Sequence, residues 1–372
     1  MLIHLDASGI ADAAGASGSA GRSLDSIESL LRAHHAGKHV VSLRREDARA
    51  LSPVLPRLSQ QAQAALRKIV GALYEIETLR REVTWHIELG IGPVFDGRAC
   101  ARGDHHVVQA SLHHFDDFER AARSVLLAEN LTDAELYEAM GRALMAWRGW
   151  RAQLAFQWLP GGGDTTADIF RSVAADGRIL LAVVDSDRKY PSGPPGRTAK
   201  RLSSSGLPAF QRFLVLHVRE AENLLPFELY EEALAPHPRS PSAPERLLSL
   251  QRVVPSTVLS WHAHVDLKKG LRLYRVRQMP PDSEEKSFWS ELCHKTHRED
   301  CLQAATCQKE SDCVCIVVEG LGEHALEHAV RWLCGQGPRR LANLLSFERD
   351  RRLVELCEII VAWGLAPAGR PS

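Results

Sequence analysis

The stretch LLAENLTDAELYEAM, residues 126–140, decides how this chain is read. An apolar run from Val125 to Ala128 leads into a carboxylate at Glu129, and four residues later, where a helical pattern begins, a second carboxylate stands at Asp133. A short, continuous apolar run suits a strand buried on both faces, whereas a strand with one wet face alternates. The texture returns at GRILLAVVDSD (177–187) and at FLVLHV (213–218), with the helix-periodic TDAELYEAMGRALMAW (132–147) between, capped by Thr132 or Asp133. The pattern predicts an α/β fold: a parallel sheet flanked by helices, whose ligands gather at the carboxyl ends of the strands.

Outward from this centre, residues 1–118 read as a separate α/β or helical unit. LIHL and HVVSL are short strand candidates, and the segment 57–88 has apolar residues at helical spacing, which predicts one long helix or a helical hairpin. Asp6 follows the first strand, as in PIN-type nucleases, but a lone strand-end Asp is too common to assign anything. The central region is 119–280. APHPRSPSAP (235–244) is a proline-rich loop, and residues 281–372 form a predominantly helical part rich in Cys and His.

Composition narrows the function classes. The 372 residues are 45% hydrophobic and 25% charged, with no run long enough to cross a bilayer as a helix. Lys plus Arg equals Asp plus Glu at 46 each, so a nucleic-acid surface would have to be local. The N-terminus has no basic leader, and the eight cysteines include no CxxC pair; both predict a cytoplasmic protein with reduced thiols.

Three acidic groupings follow predicted strands: Glu129 with Asp133, Asp185 with Asp187, and Glu220 with Glu222. Clustered carboxylates repel one another, and a hard divalent cation such as Mg²⁺ or Mn²⁺ removes that penalty. In an extended strand, residues i and i+2 point to one side, so Asp185 and Asp187 are expected to address one ion or two neighbouring ions. Taken singly, each grouping also reads as a helix cap, a solvated turn or a polar strand edge. Their order, each behind an apolar run, is what sets them apart.

That order resembles the TOPRIM domain, shared by topoisomerases, primases and nucleases of the OLD (overcoming lysogenization defect) type. LLAENLTDAELY is similar to its first motif and LLAVVDSDRKY to its second, while REAENLLP (219–226) resembles a stretch of the OLD-type and other defence-associated branch. The resemblance spans about 124–275. It implies one or two Mg²⁺ or Mn²⁺ ions held by Glu129, Asp133, Asp185 and Asp187, with Glu222 completing a second site, and hydrolysis of a phosphodiester in DNA or RNA, tRNA included. It also implies an assisting lysine, for which WHAHVDLKKGL offers Lys268 and Lys269; Lys269 is taken with the catalytic set. Where the family has glycine after the first Glu, this chain has Asn130, the residue that best replaces glycine in a left-handed turn. A role in antiviral defence follows from the branch. The chain contains no GxxxxGK[ST], so the ATPase that accompanies OLD-type nucleases is expected from a partner protein.

Two further features bear on partners and cofactors. RKYPSGPPGRTAKRL (188–202) carries Arg188, Lys189, Arg197, Lys200 and Arg201 with no acid, as a loop tracking a phosphate backbone would, or as any solvated loop does. Cys293, His297, Cys301, Cys307, Cys313 and Cys315 would suit Zn²⁺ by ligand type but lack the paired spacing of a zinc knuckle. GLGEH near 320–324 reads as an ordinary turn. The rival readings are a phosphatase or phosphotransferase using the DxD as nucleophile and acid, and a non-catalytic binding module on the same fold.

Overall fold

The structure, a computed structural model, describes residues 1–8, 19–203, 209–235, 242–254, 259–295 and 315–369. Among these the chain divides into two compact units: residues 1–183 with 205–214 and 350–372, and residues 184–204 with 215–349. The composition boundaries at 118 and 280 each fall inside a unit.

The first unit contains two α/β sheets. In the N-terminal one, β1 (Leu2–Leu5), β2 (Val40–Ser42), β3 (Trp85–Gly90), β4 (Asp96–Arg102) and β5 (His105–Ser111) lie in the order β2-β1-β3-β5-β4. All neighbours are parallel except the β4–β5 pair. Ile3 sits opposite both Val41 and Ile87, so the centre of the sheet is apolar on successive strands. Ile27, Leu30 and Leu31 of the helix Ser19–His35 are fully buried as well. Each such side chain contributes about 1.5–3 kcal/mol by leaving water. N-terminal α/β structure is therefore observed, but the segment 57–88 is neither one helix nor a simple hairpin. Helices Gln60–Gly71 and Leu73–Glu82 are followed by β3, whose WHIELG becomes a strand because it pairs on both edges. Local periodicity cannot register such partners.

The second sheet has β6 (Ser124–Ala128), β7 (Ala152–Leu154) standing apart, and β8 (Phe156–Pro160), β9 (Leu180–Val184) and β10 (Gln211–Val215) in the order β10-β9-β6-β8. β6 is parallel to β8 and to β9, with Ala128 opposite Pro160 and Val183. Every residue of β6 and β9 is buried, as continuous apolar runs require, while β8 is an edge strand, largely exposed beyond Phe156, that accommodates Pro160. The helix Leu131–Arg148 crosses from β6 to β7. Helix Arg351–Gly364 and strand Leu365–Pro367, which pairs antiparallel with β7, belong to this unit too, so the C-terminal part is not one piece.

The second unit is mostly helical. Its own sheet is the antiparallel pair β11 (Gly270–Arg272) and β12 (Ile316–Glu319), and its helices include Arg197–Ser203, Phe227–Ala233, Leu273–Gln278 and Glu284–Lys295. No helix among the described residues is long and apolar enough to cross a membrane.

Candidate functional site

In the first unit, the end of β6 is built around a helix cap. Asn130 is extended (φ −142°, ψ 175°), so the left-handed turn anticipated there does not form. Its side-chain oxygen accepts from the Asp133 amide at 2.9 Å, and its Nδ2 donates to Asp133 Oδ2 at 2.7 Å. Asn130, rather than Thr132 or Asp133, therefore caps the helix, because Leu131 already lies in its first turn. Asp133 is buried and engaged by its own cap. Glu129 is half-buried, and its carbonyl accepts from the Gly162 amide at 3.0 Å.

In the second unit, three segments read separately in the sequence are laced together by main-chain bonds. The Asp187 amide donates to the Arg219 carbonyl at 2.9 Å, and the Arg219 amide to the Ala263 carbonyl at 2.7 Å. Ser186 is buried, its hydroxyl donating to the Val218 carbonyl at 2.6 Å. Asn223 accepts from the Glu220 amide and donates to the carbonyls of His262 and Val265. The DSD, REAEN and WHAHVD stretches thus form one framework.

On that framework five charges of alternating sign form a row. Asp266 Oδ2 meets Arg219 at 3.1 Å, Arg219 Nε meets Glu220 Oε1 at 3.2 Å, Lys268 Nζ lies 3.7 Å from Glu220 Oε2, and the same ammonium lies 2.9 Å from Glu222 Oε1. Burial pushes the Glu220 carboxyl above its ordinary range, with Glu222 and Asp266 adding repulsion and Arg219 and Lys268 opposing it. Burial alone would lower Lys268, but Glu222, Glu220 and Asp185 outweigh it and hold the amine well above an ordinary lysine. Lys268 is therefore a permanent cation at neutral pH. Glu220 Oε2 is buried and makes no hydrogen bond.

Of the two lysines that the sequence offered, Lys268 makes the carboxylate contacts, while the Lys269 side chain is exposed and its amide donates to Asp266 Oδ1 at 2.8 Å. The choice is made by the GLG turn. Amides of Leu321 and Gly322 donate to the carbonyls of Leu267 and Lys268, so this turn clasps the lysine's backbone. Added Cβ atoms show how tight the crossing is: one on Gly270 would lie 2.2 Å from the Val318 carbonyl, and one on Gly320 would lie 2.4 Å from the Lys268 carbonyl.

The DxD behaves differently from its expected geometry. Asp187 has φ +53°, so extended backbone ends before it and the same-side rule for i and i+2 does not apply. Asp185 is half-buried, and Asp187 is exposed with its side chain against Gly196, where a Cβ would meet Oδ2 at 2.0 Å. The basic segment is partly helical. Arg197, Lys200 and Arg201 lie on Arg197–Ser203, with Arg197 and Lys200 exposed. Arg188 and Lys189 have their carbonyls fixed by His264 Nδ1 at 3.0 Å and Trp289 Nε1 at 3.1 Å.

For a divalent cation, the chemistry of Asp185, Glu220 and Glu222 fits, being hard oxygen, with Glu222 buried, Asp185 and Glu220 half-buried, and Glu220 Oε2 making no hydrogen bond. Among the described residues no group of three or more acids, histidines or cysteines is close enough to hold a metal as it stands; Lys268 supplies the positive charge in their midst. For zinc, His297, Cys301, Cys307 and Cys313 lie outside the described residues. Cys293 is buried in helix Glu284–Lys295, its thiol pushed up to about 11 by burial, and Cys315 precedes β12.

Arg219 and Asp266 belong to the charge row but not to the residues expected from sequence. The signal was present in their positions: an Arg directly before Glu220 and an Asp two residues before Lys268. No known protein family, curated protein or solved structure matches the chain.

Proposed function

We propose that this protein is a TOPRIM-like nuclease of the OLD-related, defence-associated kind, hydrolysing phosphodiesters in DNA or RNA with Mg²⁺ or Mn²⁺. The supporting observation is Lys268: an ammonium held protonated among Glu222, Glu220 and Asp185, the last of which directly follows β9 in the chain. A high-pKa lysine does not act as a base at neutral pH. It stabilises negative charge that develops on a phosphoryl oxygen. Glu220, with a buried oxygen that makes no hydrogen bond and a carboxyl raised by burial, is the group placed to take a proton from an attacking water.

Asp185 and Glu222 would hold the metal, which when bound would polarise the phosphodiester and lower the pKa of water. Glu129 enters the proposal through its motif alone, and Asp133 as the partner of Asn130 in the helix cap. Arg197 and Lys200 supply exposed cations for the phosphate backbone. ATP-driven control, in this reading, belongs to a partner protein.

The test is incubation of the purified protein with single- and double-stranded DNA, tRNA and other RNA, in Mg²⁺, Mn²⁺ or chelator. Cleavage is expected with metal and lost in Asp185→Asn and in Lys268→Met, but kept in Lys269→Met. Phosphomonoester hydrolysis with no cut nucleic acid would replace this reading with the phosphatase.

A further inference from the structure

Beside the charge row, and sharing Arg219 and Asp266 with it, the second unit contains a cavity of about 500 Å³. That size is within the range of small-ligand sites. Its walls combine a half-buried aromatic ring, Tyr274, with the cations Lys189 and Arg275 and the carboxylate of Glu285. Trp289 forms another part of the wall and is almost wholly buried, and its indole N–H fixes the Lys189 carbonyl. Val265 and Leu271 add apolar surface. The cavity wall at Lys189 is thus anchored from within the core rather than left to a loose loop.

Two of these groups are chemically uncommitted. Glu285 is half-buried and has no hydrogen-bond or ion-pair partner among the described residues, and the exposed Lys189 ammonium has no ion pair among them. A ligand that meets this lining needs a flat face to lie on Tyr274, an N–H edge for Glu285 and an anionic group for Lys189. Phosphate alone offers no flat face or donor. A nucleotide has all three: every base has a π-face, every base carries at least one amino or imino N–H, and its phosphate is the anion.

We infer that this cavity is a subsite for one unstacked nucleotide, which makes the favoured substrate of the neighbouring charge row single-stranded nucleic acid. The inference rests on the nuclease reading for its functional meaning, but its physical content is binding. A base inside a duplex cannot enter without unpairing, at a cost of a few kcal/mol. A single strand enters without that cost. Arg219, paired with both Glu220 and Asp266, links the cavity wall to the charge row, so an occupied subsite would present the adjoining phosphodiester to Lys268.

Binding is measured in chelator, where nothing is cut, by fluorescence anisotropy of the full chain with a fluorescein-labelled 12-nucleotide single strand and with the same sequence as a blunt duplex. The single strand is expected to bind at least about 10-fold more tightly. Tyr274→Ala is expected to weaken it about 10-fold, the order of one lost base-on-ring stack, while Tyr274→Phe, which keeps the ring, retains the affinity. Lys189→Gln should lower the slope of log affinity against log salt by about 1. Equal affinity for duplex and single strand, or wild-type affinity in a folded Tyr274→Ala, overturns the inference. Should Tyr274→Ala fail to fold, unchanged binding in both Glu285→Gln and Lys189→Gln overturns it instead. Parallel assays in Mg²⁺ separate the two readings: Tyr274-dependent binding without cleavage by the wild type supports the subsite and defeats the nuclease, and cleavage with Tyr274-independent binding does the reverse.

Discussion

The two units handle their buried polar groups in opposite ways. In the first, acids and imidazoles are neutralised locally or kept uncharged. Asp133 is bound by the Asn130 cap three residues away, while His4, His34 and His114 are pushed by burial to about 4 and so stay neutral. In the second, Glu220 and Glu222 keep their proximity because Lys268 and Arg219 sit between and beside them. A group satisfied by its sequence neighbours serves the fold. Charges assembled from segments far apart in the chain, at a desolvation cost, are the better place to look for chemistry.

The comparison breaks most readily at Lys268. Lys268→Met is expected to abolish cleavage and to lower unfolding free energy by about 2 kcal/mol, less than the 3–5 of a fully buried pair because a third of the lysine is solvent-accessible. Lys269→Met should change stability by under about 0.5 kcal/mol. Denaturant titration of the two variants side by side measures the contrast, and equal effects would place the chemistry elsewhere.

Acid separates the units next. A histidine whose folded value lies near 4 stays neutral in the native state while the unfolded chain takes a proton near 6.5. Its contribution is complete above pH 6.5 and lost as pH falls to about 4, on the order of 2–3 kcal/mol for His34. Among the described residues of the first unit, His4 and His114 share this value, and burial holds His39 well below its ordinary range too. The second has His262 at about 4 and His264 also lowered by burial, offset by Glu220, whose raised carboxyl takes up a proton more readily in the folded state as pH falls towards 4.5. Peptide-resolved hydrogen exchange at pH 7 and pH 5, corrected for intrinsic rates, should show the first unit losing more protection.

Smaller effects test the local half of the contrast. Asn130→Ala should cost about 1 kcal/mol through the lost cap, read as a fall in melting temperature. Gly196→Ala places a methyl where the Asp187 carboxylate lies, so the side chain must swing away. If Asp187 takes part in cleavage, activity falls there with a stability change under about 1 kcal/mol; unchanged activity would remove Asp187 from the site.

Much of the first unit was legible because its signals are local. SVLLA and LLAVV are apolar throughout and became fully buried strands, and the periodic run after Asn130 became a helix. WHIELG was illegible as a strand because its partners, β1 and β5, are remote in sequence and the preceding helices blurred its start. The acidic groupings were visible as residues, but their relations were not. Choosing Lys268 over Lys269 requires the turn at 320–322, some fifty residues on, and Arg219 and Asp266 acquire meaning only when the REAEN and VDLKKG segments meet. The break at Asp187 depends on one dihedral angle, beside a main-chain bond to Arg219 that no periodicity encodes.

Gly270 and Gly320 give the lysine a particular vulnerability. Because a methyl on either would run into the backbone of the facing segment, a saturation mutagenesis screen should score these two positions as a single unit, intolerant of every replacement although neither has a side chain. Selection for altered specificity would then run into a rigid boundary here. Variants that reshape the surroundings of Lys268 would arise through substitutions elsewhere, leaving both glycines as fixed marks in any evolved lineage of this protein.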